Sequence, residues 1–138
     1  MTATGVVGIA AVGILGYDVV WPLVYRALPG VRPVLDGALT VVAFVIPFVI
    51  GVVLARSEPP PRAMLLTAVV GVVDSTLGWA ISAWIGPGRA EMVDGASVVV
   101  QVAVTIVMVV AIYGVFGLAG AGVGRRWMRR PRARLSVR

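Results

Sequence analysis

Nearly all the charged residues of this chain lie in short punctuating segments. Between them run four long stretches in which apolar residues occupy every face. A helix in a soluble core keeps one polar side, whereas a helix surrounded by lipid is apolar all round for about 20 residues, enough to cross ~30 Å of hydrocarbon. The pattern predicts spans over residues 5–25, 34–55, 63–85 and 97–123. Each is long enough to cross a bilayer with some tilt.

Proline and glycine mark the connections. Residues 27–33 (Ala-Leu-Pro-Gly-Val-Arg-Pro) read as a tight turn, because proline presets one turn position and glycine accepts positive φ. Ser57 to Pro61 is expected to be non-helical, since successive prolines lack amide donors and clash with the turn before them. Gly86-Pro87-Gly88 ends the third span, and Arg89, Glu91 and Asp94 follow in a loop. Links this short make consecutive helices antiparallel neighbours. The expected fold is therefore all-α, an integral membrane four-helix bundle running up-down-up-down over residues 1–124. A basic, disordered tail is expected over residues 125–138. The first stretch lacks a basic flank and is too long for the core of a cleaved signal, so it reads as a permanent span.

Composition sharpens this picture. Of the 138 residues, 59% are hydrophobic and 13% charged, with a mean hydropathy of +1.01. Soluble domains lie near 45–50% and about 25% respectively. There is no cysteine and no histidine, which excludes disulfides and thiolate metal sites and removes the commonest general base. No phosphate-cradling glycine loop, nucleophile–base pair or metal-ligand cluster is present in the sequence. Neither a cofactor nor an enzymatic activity is expected.

All basic residues are arginine, and their distribution sets the orientation. Arg56, Arg62, Arg125, Arg126, Arg129, Arg130, Arg132, Arg134 and Arg138 fall on one side, and only Arg26, Arg32 and Arg89 on the other. The arginine-rich side is expected to be cytoplasmic. Both termini then lie inside, in the inner membrane of a bacterium. Trp21, Tyr25 and Trp84 would mark the outer interface and Trp127 the inner one, where amphipathic rings prefer to lie. The run Arg125, Arg126, Trp127, Arg129 and Arg130 reads as a membrane anchor that attracts anionic headgroups. Lipid accounts for these charges without nucleic acid.

Small residues recur at helical spacing. Ala63, Thr67, Gly71 and Ser75 form one row on the third span, and Gly78, Ser82 and Gly86 a second. The fourth span pairs Gly117 with Ala121 and Gly120 with Gly124. Such rows let helix backbones approach closely, either within one chain or between chains.

Asp18 and Asp74 carry most of the functional information. A carboxylate near the centre of a span costs about 2.5–3.5 kcal/mol on insertion scales, so it should face the bundle interior or a water-filled cavity. Thr40 and Asp36 on the second span, Ser75 and Thr76 beside Asp74, and Gln101 and Thr105 on the fourth span lie at similar depth in the outer half. The inner half is almost wholly aliphatic. A polar pocket open outward and sealed inward is expected. Pro22 and Pro47 deprive the carbonyls of Asp18 and Ala43 of their usual helical amide partners.

Several functions remain open to these residues. In the first, the two acids are neutral or paired with Arg26, Arg32 or Arg89 and lock helix register. The protein is then non-catalytic and acts through association with lipid, with itself or with another membrane protein. In the alternative, Asp18 and Asp74 centre the pocket of a small transporter or channel. An intramembrane aspartyl hydrolase is disfavoured: neither acid has glycine-rich surroundings, and four spans leave little protein to hold an extended peptide.

Overall fold

A computed structural model of the chain describes residues 2–28, 30, 32–85 and 97–129. Among these residues there are helices and short connections, and no strand. Helix α1 spans Ala3–Ala27, α2 Arg32–Leu54, α3 Pro60–Val73, α4 Trp79–Ile85 and α5 Val98–Arg129. A five-residue π turn, Asp74–Gly78, joins α3 to α4 without a break in the helical path. Four helices are long and apolar enough to cross a membrane, over Ala3–Ala27, Asp36–Leu54, Pro60–Ile81 and Val99–Met128. Large apolar side chains remain exposed along them, among them Ile9, Val12, Val34, Val99 and Val107. A soluble fold would bury that surface, whereas lipid solvates it.

The helix ends follow local chemistry. The Thr2 hydroxyl accepts the Gly5 amide at 3.2 Å and caps α1. The segment expected to be non-helical is shorter than the sequence suggests, because Pro60 and Pro61 form the first turn of α3. Amides there have no intrahelical partner to lose, so proline is tolerated. At the other extreme, α5 continues through Arg129, so Arg125 to Arg129 are helical and not part of an irregular tail. Residues 130–138, with the remainder of that expectation, lie outside the described residues.

Helix α5 packs most extensively on α2 and on α3, while α1 lies chiefly against the π turn and α4. The small residues explain the first two contacts. A Cβ placed on Gly51 would lie 2.1 Å from the Gly117 carbonyl oxygen, and one on Gly120 would lie 2.0 Å from that of Phe48. Backbone thus meets backbone between α2 and α5. On the other side of α5, a Cβ on Gly117 would fall 2.6 Å from Cβ of Thr67. Thr67 is fully buried and its hydroxyl donates to the Ala63 carbonyl at 2.8 Å. Ala63, Gly71, Ser75, Ala121 and Gly124 are buried as well. The rows of small residues on α3 and α5 are therefore occupied by contacts within the chain.

Burial is greatest where α2 ends, α3 begins and α5 approaches its C-terminus. Leu54, Ala63, Thr67, Val70 and Ala121 have no exposed surface there. The Arg125 guanidinium closes this end by donating to the Glu58 carbonyl at 3.4 Å, and Arg62 lies 3.3 Å from the Glu58 carboxylate.

Candidate functional site

The acids at membrane depth come from different helices and meet at the π turn. Asp74 begins that turn, and the hydroxyls of Ser75 and Thr76 both donate to the Val72 carbonyl, at 3.3 and 2.6 Å. Hydroxyls that bond back to a preceding carbonyl compete with the backbone ladder and bend helices. Here the Trp79 amide reaches back to the Asp74 carbonyl, five residues earlier. A π turn re-aims the side chains around it and is frequent at functional sites.

Gly78 ends the turn and faces α1. A Cβ built on it would lie 1.9 Å from Asp18 Oδ2, so the absent side chain is what admits the carboxylate. That oxygen is buried. Two tyrosines complete the cluster. Tyr113 of α5 is 4% exposed and shares a side-chain hydrogen bond with Asp74. Tyr17 of α1 and Tyr113 each lie within electrostatic reach of both carboxylates. Gly71 makes room for Tyr113, since a Cβ there would fall 2.8 Å from the tyrosine Cβ. Three helical spans therefore contribute to one polar cluster.

The other candidate residues separate. Thr76 is exposed and, like Ser75, directs its hydroxyl at its own helix. The Thr105 hydroxyl donates to the Gln101 carbonyl at 2.9 Å, again within one helix. Thr40 does the same toward the Asp36 carbonyl at 2.9 Å, but it also lines a cavity of about 370 Å³ between α1 and α2. Tyr17, Trp21, Pro22 and Tyr25 supply the α1 wall, and the Tyr25 hydroxyl donates to the Asp36 carboxylate. Tyr17 belongs to both the cavity and the carboxylate cluster. Of the anchor residues, Arg126 and Trp127 are exposed on the last turns of α5 and Arg125 is half-buried. Arg129 ends α5, and Arg130 lies outside the described residues.

Tyr17, Gly78 and Tyr113 join the site although neither charge nor depth in the sequence singles them out for it. One signal was present: Tyr113 is the only hydroxyl in the aliphatic run from Ile106 to Phe116. Nothing in the sequence marks Gly78 as the seat of a carboxylate from another helix.

Among the described residues, no group of three or more acidic side chains is placed to hold a metal ion. No protein-family model, no curated protein and no solved structure matches this chain.

Proposed function

We propose that the protein is a small, non-catalytic transporter or channel of the bacterial inner membrane, in which Asp18 and Asp74 handle protons or a small cation. The approach of Asp18 to the π turn that Asp74 opens, with Tyr113 in reach of both carboxylates, supports this reading above every other feature. Intramembrane acids are costly, and proton relays and ion pathways are the common uses that repay them. Tyrosine hydroxyls beside both carboxylates add groups that can accept and donate a proton in turn.

The helices alternate in direction as an up-down-up-down bundle with both termini inside. Gly71 meets Tyr113 and Thr67 meets Gly117, the order expected of antiparallel α3 and α5. Phe48 meets Gly120 and Ala55 meets Gly124, the order expected of parallel α2 and α5. The arginine-rich, tightly packed end then faces the cytoplasm, and the cavity between α1 and α2 lies toward the outer face.

The competing reading is an association protein with itself or another membrane protein as partner. The rows of small residues that could serve such an association are packed within the chain on α3 and α5. Reconstituted vesicles carrying an imposed proton or sodium gradient separate the two. Flux in the wild type that falls at least tenfold in both Asp74→Asn and Asp18→Asn is the expected result. Equal flux in wild type and variants, or none above protein-free vesicles, would refute the transport reading.

A further inference from the structure

Tyr17, Trp21 and Tyr25 stand one turn apart along α1. The first two rings meet edge to face with centroids 5.6 Å apart, and the second pair is tilted at 6.5 Å. Aromatic residues of membrane proteins usually sit at the lipid–water interface with their rings outward. Trp84 and Trp127 are placed in that way, 89% and 67% exposed. The α1 aromatics are instead half-buried and wall the cavity shared with α2, while Val19, Val20 and Leu23 take the exposed positions. Interfacial anchoring does not explain three aromatic residues lining one open groove, whose volume of about 370 Å³ is within the range of small-molecule sites.

Among the described residues, the groups that flank that space include negative and electron-rich ones. Aromatic faces carry the negative part of the ring quadrupole. The Tyr25 hydroxyl donates to the Asp36 carboxylate at one end, and Tyr17 lies near Asp18 and Asp74 at the other. On the α2 wall, Ala43 precedes Pro47 by four residues, so its carbonyl receives no amide hydrogen bond from residue 47. Arg26, the one cation of α1, is exposed.

We propose that this cavity binds an organic cation of the quaternary ammonium or phosphonium type, held by cation–π contact with Trp21, Tyr17 and Tyr25. Such ions are weakly hydrated and carry apolar groups that suit Pro22, Leu39 and Ala43. A metal cation is a poorer occupant, because among the described residues no carboxylate-bearing one lines the wall to replace its water. Binding stands on the cavity alone. Only the further step, exchange of this cation against charge on Asp18 and Asp74, rests on the transport reading.

The test uses the purified full chain, with methyltriphenylphosphonium as probe and triphenylphosphine oxide as a neutral compound of similar size. Saturable binding of the cation, not displaced by an equal concentration of the oxide, is expected. Trp21→Phe keeps a π face and should bind within about threefold of wild type, whereas Trp21→Leu should bind about tenfold more weakly. Ala43→Phe fills the cavity from α2 and should abolish binding even if Trp21→Leu fails to fold. Equal competition by the oxide would make the cavity a seat for lipid tails and overturn the assignment. Unchanged binding in Ala43→Phe would overturn it too. Carboxylate-dependent flux without saturable cation binding sinks this inference and leaves the transport reading standing. Cation binding with flux indifferent to Asp74→Asn does the reverse.

Discussion

The carboxylate of Asp18 occupies the place where a side chain at Gly78 would begin. An ideal Cβ at residue 78 would lie 1.9 Å from Oδ2 and 2.8 Å from the carboxyl carbon. Two atoms cannot share that space, so residue 78 and residue 18 are coupled through a steric contact in addition to any charge.

Gly78→Ala should therefore expel the Asp18 carboxylate or open the contact between α1 and the π turn. Combined with Asp18→Ala, it should cost less than the sum of the single changes. A coupling energy of about 0.5–3 kcal/mol is expected for residues in direct contact. A double-mutant cycle of unfolding in mixed micelles measures it, and additivity within about 0.3 kcal/mol would contradict the contact.

Tyr113→Phe removes a buried hydroxyl from Asp74 and changes little in volume. Leaving a buried acceptor short of a donor costs about 1–3 kcal/mol, which should appear as a lower unfolding midpoint. Under the transport reading the same variant should also lower flux. An unchanged midpoint would mean that the hydrogen bond is dispensable.

Contacts between backbones in α2 and α5 make a second group of glycines irreplaceable. Gly120→Val has no flexible neighbour to displace, since the nearest atoms belong to the Phe48 carbonyl and the Val52 amide. Destabilisation of at least about 1–3 kcal/mol is expected, the usual cost of overpacking. Gly13 of α1 has no heavy atom within 4 Å of an added Cβ. Gly13→Ala should shift stability by less than about 1 kcal/mol. Similar losses in both variants would refute the packing.

Orientation can be read chemically because the chain contains no cysteine. Single cysteines at Ser57, between α2 and α3, and at Gly30, between α1 and α2, both lie at exposed positions. In intact cells an impermeant maleimide should label position 30 and spare position 57 until the membrane is opened. Labelling of both positions from the same side would contradict the alternating arrangement of spans.

The four spans were legible in the amino-acid sequence because a bilayer demands a long apolar run from any helix that crosses it, whatever its neighbours. Helix limits were less so: Pro60 and Pro61 open α3, and α5 reaches Arg129 beyond the last apolar residue of the span. Asp18 and Asp74 stood out by their depth alone. Ser75, Thr76 and Thr105 looked equally polar in sequence, yet each satisfies its hydroxyl on its own helix.

Depth follows from position along a single helix, and so the sequence by itself determined which residues lie within the membrane-spanning segments and which pairs of small residues could bring backbones close. Azimuth is different. Which faces of four nearly uniform helices meet depends on steric fit between distant segments, such as Gly117 against Gly51 and Thr67. Lipid supplies no apolar contrast that would reveal those faces in the order of residues. Only the tertiary structure decided that Asp18 rests on Gly78, that Tyr113 reaches Asp74, and that three aromatic residues of α1 line one open groove.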